Sequence, residues 1–565
     1  MPTVRASDYP PPFDARAFVG EPTDPADERI EVGILIVGAG PAGLACAIRL
    51  GPLLEEHPDV ADKLGEVPVA LVDKGKQPGS HLLSGAVVNP RSLRRLFRDR
   101  YRIEDLPGYG EVHGEAVYVL TRRRSMRIPP PPTMRNHGNV VFSLAQLGRW
   151  LGERAEEGGA MILPETAAEK LLVSHGRVVG IRTGDKGRNR KGEPMGNYEP
   201  GADLVAKVTV LAEGTQGHLT AVALDHFGLQ GNEPQVWELG VKEIWKVAKP
   251  LRHVIHTMGW PLRTAAKYRE FGGSFLYPMG DDMLTIGMVV GLDYRDVELS
   301  PHDLLQELKT HPRIRGLLEG GERVGWGAKT IPSGGFHSLP QRLHAPGLLM
   351  CGDGVGMVNI ARLKGVHYAI ESGRLAAESA FAALRPGATP ATSLDSYDQA
   401  VRESFIWSDL EEVRDMRQVF GHGFFIGGAF ATAMTMSKGK LSFGKMHAEP
   451  DAEAPLLRTN RADRYPIPDG KLTFDKLSSV FASGNKTRDD QPNHIRVERR
   501  VPRDVADLWV RMCPAHVYEI GTEGGDGTVT VQLAPSNCVQ CGAITAKGGR
   551  LTPPEGGSGP EYTLT

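Results

Sequence analysis

Residues 32–37 read Val-Gly-Ile-Leu-Ile-Val, run directly into Gly38-Ala39-Gly40-Pro41-Ala42-Gly43, and continue as Leu44-Ala45-Cys46-Ala47-Ile48-Arg49-Leu50. The apolar run has the character of a buried parallel strand, and the segment after the glycines has helical composition. G-x-G-x-x-G between such elements gives each glycine a task. Gly38 makes the tight turn, Gly40 lets the backbone approach a pyrophosphate, and Gly43 lets helix pack on strand. The helix N-terminus then offers free N–H groups and a favourable dipole to the anion. A second strand, Val67 to Val72, ends in Asp73, where a carboxylate accepts hydrogen bonds from a ribose diol. The spacing from the glycines exceeds the usual roughly 20 residues; the extra residues, Gly51 to Glu66, read as an extended helix and a loop.

Two further segments favour FAD over NAD. Val208 to Thr215 is a strand that runs into a small-residue turn containing Glu213 and Gly214, and Leu348 to Gly354 is another with Asp353 at its mouth. Asp353 suits a polyol chain such as ribityl, the plainer alternative being an Asp-Gly turn. No second strand–GxGxxG–helix unit occurs, so electrons are expected from a donor other than NAD(P)H.

A chain of 565 residues implies two to four modules. Its charged fraction is 24% and its formal net charge −2, which does not mark a nucleic-acid binder. The five cysteines are too few for a disulfide framework and point to a reduced compartment. Met1 to Glu31 lacks the pattern of a secretory signal, and no continuous apolar run of about 20 residues predicts a membrane span.

Three of the cysteines lie near the end of the sequence, in Cys513-Pro514-Ala515-His516-Val517-Tyr518-Glu519 and Asn537-Cys538-Val539-Gln540-Cys541-Gly542. C-x-x-C holds two thiolates within reach of one metal centre, and a Cys-Pro turn is typical of an iron–sulfur ligand loop. Cys513, His516, Cys538 and Cys541 also form an acceptable zinc set.

The chain resembles the electron-transfer-flavoprotein:ubiquinone oxidoreductase family over nearly its whole length. Carriers of the resemblance include Ile36 to Leu44, Gly79-Ser80-His81-Leu82-Leu83-Ser84-Gly85-Ala86, Asn136 to Asn139, Ala212-Glu213-Gly214, Gly272 to Tyr277, Val289 to Tyr294, Leu363-Lys364-Gly365, Cys513-Pro514-Ala515, Asn537-Cys538-Val539 and Pro553 to Gly557. The resemblance implies a glutathione-reductase-like α/β FAD domain, an inserted quinone-facing β subdomain and a C-terminal ferredoxin-like module. It also implies FAD, a [4Fe–4S] cluster, and electron-transfer flavoprotein and a quinone (ubiquinone or menaquinone) as partners. The FAD residues expected are Gly38, Gly40, Gly43, Asp73, Ser84, Gly85, Glu213, Gly214, Asp353 and Asn359; Gly272 and Gly273 would meet the quinone headgroup, and Cys513, Cys538 and Cys541 would hold the metal. Such a protein relays electrons, so no general base is assigned. Tyr518 is a candidate to tune the cluster through its sulfurs.

The sequence departs from the family pattern C-x-x-C-x-x-C at its third position, which is Ile544. The loop from Thr545 to Arg550 is also shorter than usual. Because isoleucine cannot ligate a metal, His516 is the expected fourth ligand; the other outcomes are a three-iron [3Fe–4S] cluster, zinc, or no metal.

The expected divisions are 30–230 with 335–420 for FAD, 231–334 for the quinone-facing part, 421–446 for a membrane-facing segment, and 447–565 for a linker and the ferredoxin-like module. Residues 420–437 are apolar and aromatic with four glycines, followed by Lys438, Lys440 and Lys445. Each glycine costs a helix roughly 1 kcal/mol relative to Ala, so peripheral attachment, at the inner face of a bacterial cytoplasmic membrane, is expected instead of a span. The rival reading is an FAD-dependent reductase or hydroxylase of a lipid-like substrate whose C-terminal cysteines form a structural zinc or vestigial site.

Overall fold

The computed structural model describes residues 4–24, 29–83, 87–98, 100–385, 394–441 and 447–565. The first sheet is built around Arg29–Val37, which pairs in parallel with Val69–Val72 on one side and Asp203–Leu211 on the other. Leu348–Met350 adds in parallel to Asp203–Leu211. Strands buried on both faces read as continuous apolar runs, as Ile34, Leu35, Ile36 and Leu71 do, each 0% exposed. The helices Pro41–Glu55 and Val366–Leu384 pack together over this sheet.

The second sheet has the order Glu322–Pro332, Trp237–Lys246, Met283–Gly291, Gly272–Pro278, Val254–Gly259, Glu115–Leu120 and Ser125–Ile128. The two last strands come from a piece that the expected boundaries give to the FAD domain. Val254–Gly259 recruits them by parallel pairing with Glu115–Leu120, a long-range contact that no local pattern announces.

The C-terminal module packs its helix Arg503–Met512 on the strands Arg500–Pro502, Thr528–Leu533 and Tyr518–Glu523. Trp245, Trp326 and Trp509, all 0% exposed, belong to one apolar core that runs from the second sheet into this module and includes Cys513, Cys538 and Ile544. The thiol site is therefore built on the sheet that covers the first domain.

Residues Phe424–Met436 form a helix. At 1.5 Å per residue it is about 20 Å long, short of the roughly 30 Å of a bilayer core. Among the described residues no helix is long and apolar enough to cross a membrane. Of the lysines that follow this helix in sequence, Lys445 lies outside the described residues.

Candidate functional site

A cavity of about 1130 Å³ lies between the two sheets, lined at one end by Gly38 and Gly40 and at the other by Gly272, Gly273 and Phe424. Gly38 has φ +110, and a Cβ there would stand 2.4 Å from the Ala212 carbonyl oxygen. A Cβ on Gly43 would meet the Gly38 carbonyl oxygen at 2.0 Å, whereas one on Gly40 would meet nothing closer than Leu82 at 3.8 Å. The outer glycines are thus required by the fold, and the middle one leaves open space against the backbone. That is the division of labour a pyrophosphate cradle needs.

Asp73 lines the cavity, and its two carboxylate oxygens accept from the backbone N–H groups of Ala39 and Gly75, both at 2.7 Å. It therefore braces the glycine turn as well as facing the ligand space. Glu213 also lines the cavity but accepts from the N–H groups of Leu219 and Thr220 and from the Thr220 hydroxyl, capping the helix His218–His226. Gly214 and Asp353 line the same wall; burial pushes the Asp353 carboxyl up to about 6. Asn359 is placed differently from expectation. Its amide donates to the Asp409 carbonyl and accepts from the Arg362 N–H, and its neighbours Val358 and Ile360 line the cavity in its place. Ser84 and Gly85 lie outside the described residues.

Several cavity-lining groups have buried side-chain atoms without a hydrogen-bond partner: His81 Nδ1, Gln216 Nε2, His218 Nδ1, Gln540 Oε1 and both ring nitrogens of His494. Buried polar atoms are nearly always satisfied, so this set fits a large polar ligand such as FAD. Sequence reasoning misses all five residues because they come from separated segments. The His81-Leu82 pair inside the Gly79–Ala86 motif is the one available signal.

The opposite wall belongs to the second sheet. A Cβ on Gly272, whose φ is +141, would stand 2.0 Å from the Val289 carbonyl oxygen, and one on Gly273 2.6 Å from that of Thr257. His256, Lys242 and Glu238 also line this wall. Burial holds His256 down to about 3 and Lys242 down to about 7, and pushes Glu238 up to about 7. Burial disfavours charge in each case, which favours the neutral forms of these three side chains.

Cys513 follows the helix Arg503–Met512, and Cys538 and Cys541 sit on the loop after Thr528–Leu533. Cys513 Sγ accepts from the Ala515 N–H and Cys538 Sγ from the Gln540 N–H, each at 3.4 Å. Burial and mutual repulsion push Cys538 and Cys541 up to about 12, so thiolates here need cations. Lys74 and Lys329 act on Cys538 and Lys476 on Cys513. Tyr518 is buried beside all three thiols, whose charges oppose its ionisation after burial itself. His516 does not join them. Its imidazole Nε2 pairs with Glu519 Oε1 at 3.2 Å with 42% of the side chain exposed. With φ +52 the residue turns at the surface, so the imidazole expected as a ligand stands apart from the three thiols here. Among the described residues no group of three or more His, Cys, Asp or Glu is arranged to hold a single metal ion.

Two family models match the chain, "ETF-QO, ubiquinone-binding" over residues 237–331 and "Electron transfer flavoprotein-ubiquinone oxidoreductase, 4Fe-4S" over residues 470–563. The electron transfer flavoprotein-ubiquinone oxidoreductase of Pseudomonas aeruginosa is 38% identical over 561 residues, 95% of this chain and 99% of that protein. The chain belongs to this family. The mitochondrial enzyme of Arabidopsis thaliana is 38% identical over 95% of this chain and 85% of its own length, and the human one 38% over 94% and 89%. The first family match spans the cavity-facing strands from Trp237 to Ile331, and the second spans the thiol module. Among solved structures, a geranylgeranyl bacteriochlorophyll reductase-like protein of Thermoplasma acidophilum aligns with TM-score 0.55 at 16% identity, over 75% of this chain and 96% of that one. Flavin-dependent brominase Bmp2 aligns with TM-score 0.50 at 16% identity, over 73% and 94%. Both are likenesses of fold.

The cavity residues fit FAD. The C-terminal module fits an iron–sulfur cluster through three thiolates and lacks the fourth that a [4Fe–4S] cluster takes.

Proposed function

We propose that this protein oxidises reduced electron-transfer flavoprotein and delivers the electrons to a membrane quinone, with FAD and an iron–sulfur cluster as its carriers. One observation supports this most: a single cavity joins the glycine loop to Gly272 and Gly273, and Lys329, which lines it, donates through Nζ to the Gln540 carbonyl between Cys538 and Cys541. Ligand space, quinone wall and thiol loop are thus contiguous.

FAD, when bound, supplies a carrier able to exchange one or two electrons, matching a one-electron partner to a two-electron quinone. The chain's own residues bind, orient and exclude water. Gly40 leaves room for the pyrophosphate, Asp73 fixes the turn that presents it, and Gly272 and Gly273, with the buried His256, form the quinone side. Lys74, Lys329 and Lys476 offset the charge of the thiolates. Burial lowers the Lys329 ammonium to about 8, and the charges of Cys541 and Cys538 act against that fall.

The quinone reaches the site from a membrane surface. The helix Phe424–Met436 lines the cavity with Phe424, Gly428, Ala431 and Met436; Ile426 is 57% exposed and Met436 78%. Lys438 and Lys440 follow. An apolar helix too short to span, with lysines beside it, suits peripheral insertion into a headgroup layer. In a bacterium that surface is the inner face of the cytoplasmic membrane.

The test is steady-state reduction of a ubiquinone analogue with three donors supplied in turn. Turnover with reduced electron-transfer flavoprotein, and none with NADH or NADPH, is expected. Turnover with a nicotinamide alone would assign the protein to the reductases.

A further inference from the structure

We infer that the C-terminal module holds a three-iron, [3Fe–4S], cluster on Cys513, Cys538 and Cys541, with Ile544 in place of a fourth ligand. This rests on the reading of the module as an iron–sulfur site and goes beyond it by fixing how many irons the chain can hold.

The supply of thiolates sets the limit. A [4Fe–4S] cluster takes four thiolates, and the sequence contains five cysteines. Cys46 lies in the helix after the glycine loop and Cys351 at the end of Leu348–Met350, 0% and 1% exposed in the core of the FAD domain. Each sits near the other and not near the remaining three: the charge that acts on Cys46 is that of Cys351, and Cys351 Sγ donates to the Leu211 carbonyl. Three thiols are left for the module.

Among the described residues no other side chain takes the fourth place. His516 is turned outward onto Glu519. Besides one another, the charged groups that act on the three thiols are the lysines Lys74, Lys329 and Lys476, which cannot ligate while protonated. Ile544 occupies the position that continues the C-x-x-C spacing, on the short helix Ala543–Ala546. It is 4% exposed within the same apolar core as Cys513 and Cys538, and a Cβ on Gly549 would stand only 2.6 Å from its Cγ1. The site is packed with hydrocarbon. Three irons, each with one cysteine thiolate, satisfy the residues present; a fourth iron has no cysteine thiolate to hold it.

The experiment is anaerobic reconstitution of the full-length protein with ferrous iron and sulfide. After desalting, iron, acid-labile sulfide, zinc and FAD are measured and EPR spectra taken of the oxidised form. Three irons to four sulfides, with an oxidised-state EPR signal of one spin per chain, is expected. H516A and Y518F should keep that iron content. I544C, with normal FAD content as the check on folding, should gain the fourth iron and lose the oxidised-state signal. Four irons and a silent oxidised state in the unaltered protein would overturn the inference, as would loss of iron in H516A or Y518F, or an I544C protein that keeps three irons. A protein that takes up zinc, or neither iron nor sulfide, would overturn the iron–sulfur reading itself.

Discussion

Lys329 Nζ donates to the carbonyl oxygen of Gln540 at 3.1 Å. A cation from the strand Glu322–Pro332 of the cavity-covering sheet thereby holds the turn between Cys538 and Cys541. Lys74, which directly follows Asp73, bears on the same thiol Cys538. Two lysines thus stand between the FAD cradle and the thiol loop, and the electrostatics of the two centres are linked.

Lys329→Met removes one positive charge and the bond to Gln540. Reduction adds negative charge to the cluster, so losing a nearby cation disfavours it. The cluster potential should fall by about 60 mV or more, the equivalent of a tenfold change for one electron. EPR-monitored redox titration measures this, and an unchanged potential would show that Lys329 does not tune the cluster.

Gly40→Leu should give a folded but colourless protein. The position has free space around it in the chain: the nearest atom to a Cβ placed there belongs to Leu82, 3.8 Å away. The side chain therefore competes with the pyrophosphate and not with the fold. Circular dichroism with FAD absorbance separates the two effects; a yellow variant would contradict the cradle.

Gly273→Ala places a Cβ 2.6 Å from the Thr257 carbonyl oxygen. The strand must shift, at a cost of about 1–3 kcal/mol. A lower thermal midpoint together with weaker quinone reduction at full FAD content is expected. Quinone reduction at the unaltered rate would dissociate this wall from the quinone.

Stability should fall in mild acid. Burial lowers His218, His256 and His494 from 6.5 to about 3. In the unfolded chain these imidazoles gain protons below about pH 6.5, and in the folded chain only near pH 3. The unfolded state therefore binds more protons across that window, and stability that is complete above about pH 6.5 is lost as pH falls through it. Each group contributes roughly 1.4 kcal/mol per pH unit there. Urea midpoints at pH 7 and pH 5 should differ clearly; equal midpoints would contradict neutral burial.

I426S/M436S replaces two exposed apolar side chains of the helix Phe424–Met436. If they enter lipid, their loss weakens attachment by about 3 kcal/mol. Flotation with liposomes should then fail for the variant at ionic strengths where the unaltered protein still floats. Equal flotation would argue against membrane contact through this helix.

The glycine loop and the C-x-x-C turn are legible in the sequence because their chemistry depends on local spacing. The apolar strand before Gly38 and the helix after Gly43 supply period and punctuation together. What escapes is set by distant packing. Asp73 and Glu213 line the cavity as expected, yet their hydrogen bonds go to backbone amides brought to them by the turn and the helix cap. Asn359 reads as a site residue, but Asp409 and Arg362 engage its amide. His516 has suitable spacing from Cys513, and spacing carries no information on direction; a positive φ and Glu519 turn it to solvent. Strands 115–128 and the buried lysines between the two centres depend on pairings across more than a hundred residues, which no window of the sequence contains.

In the proposed relay, two redox centres stand between a flavoprotein donor and a quinone. Anaerobic titration of the purified, reconstituted protein with reduced electron-transfer flavoprotein, followed by absorbance and EPR, tests it most directly. Uptake of three electrons per chain is expected, two by FAD and one by the cluster, with reoxidation of both centres when a ubiquinone analogue is added. FAD and cluster that stay oxidised in the presence of excess reduced flavoprotein would contradict it.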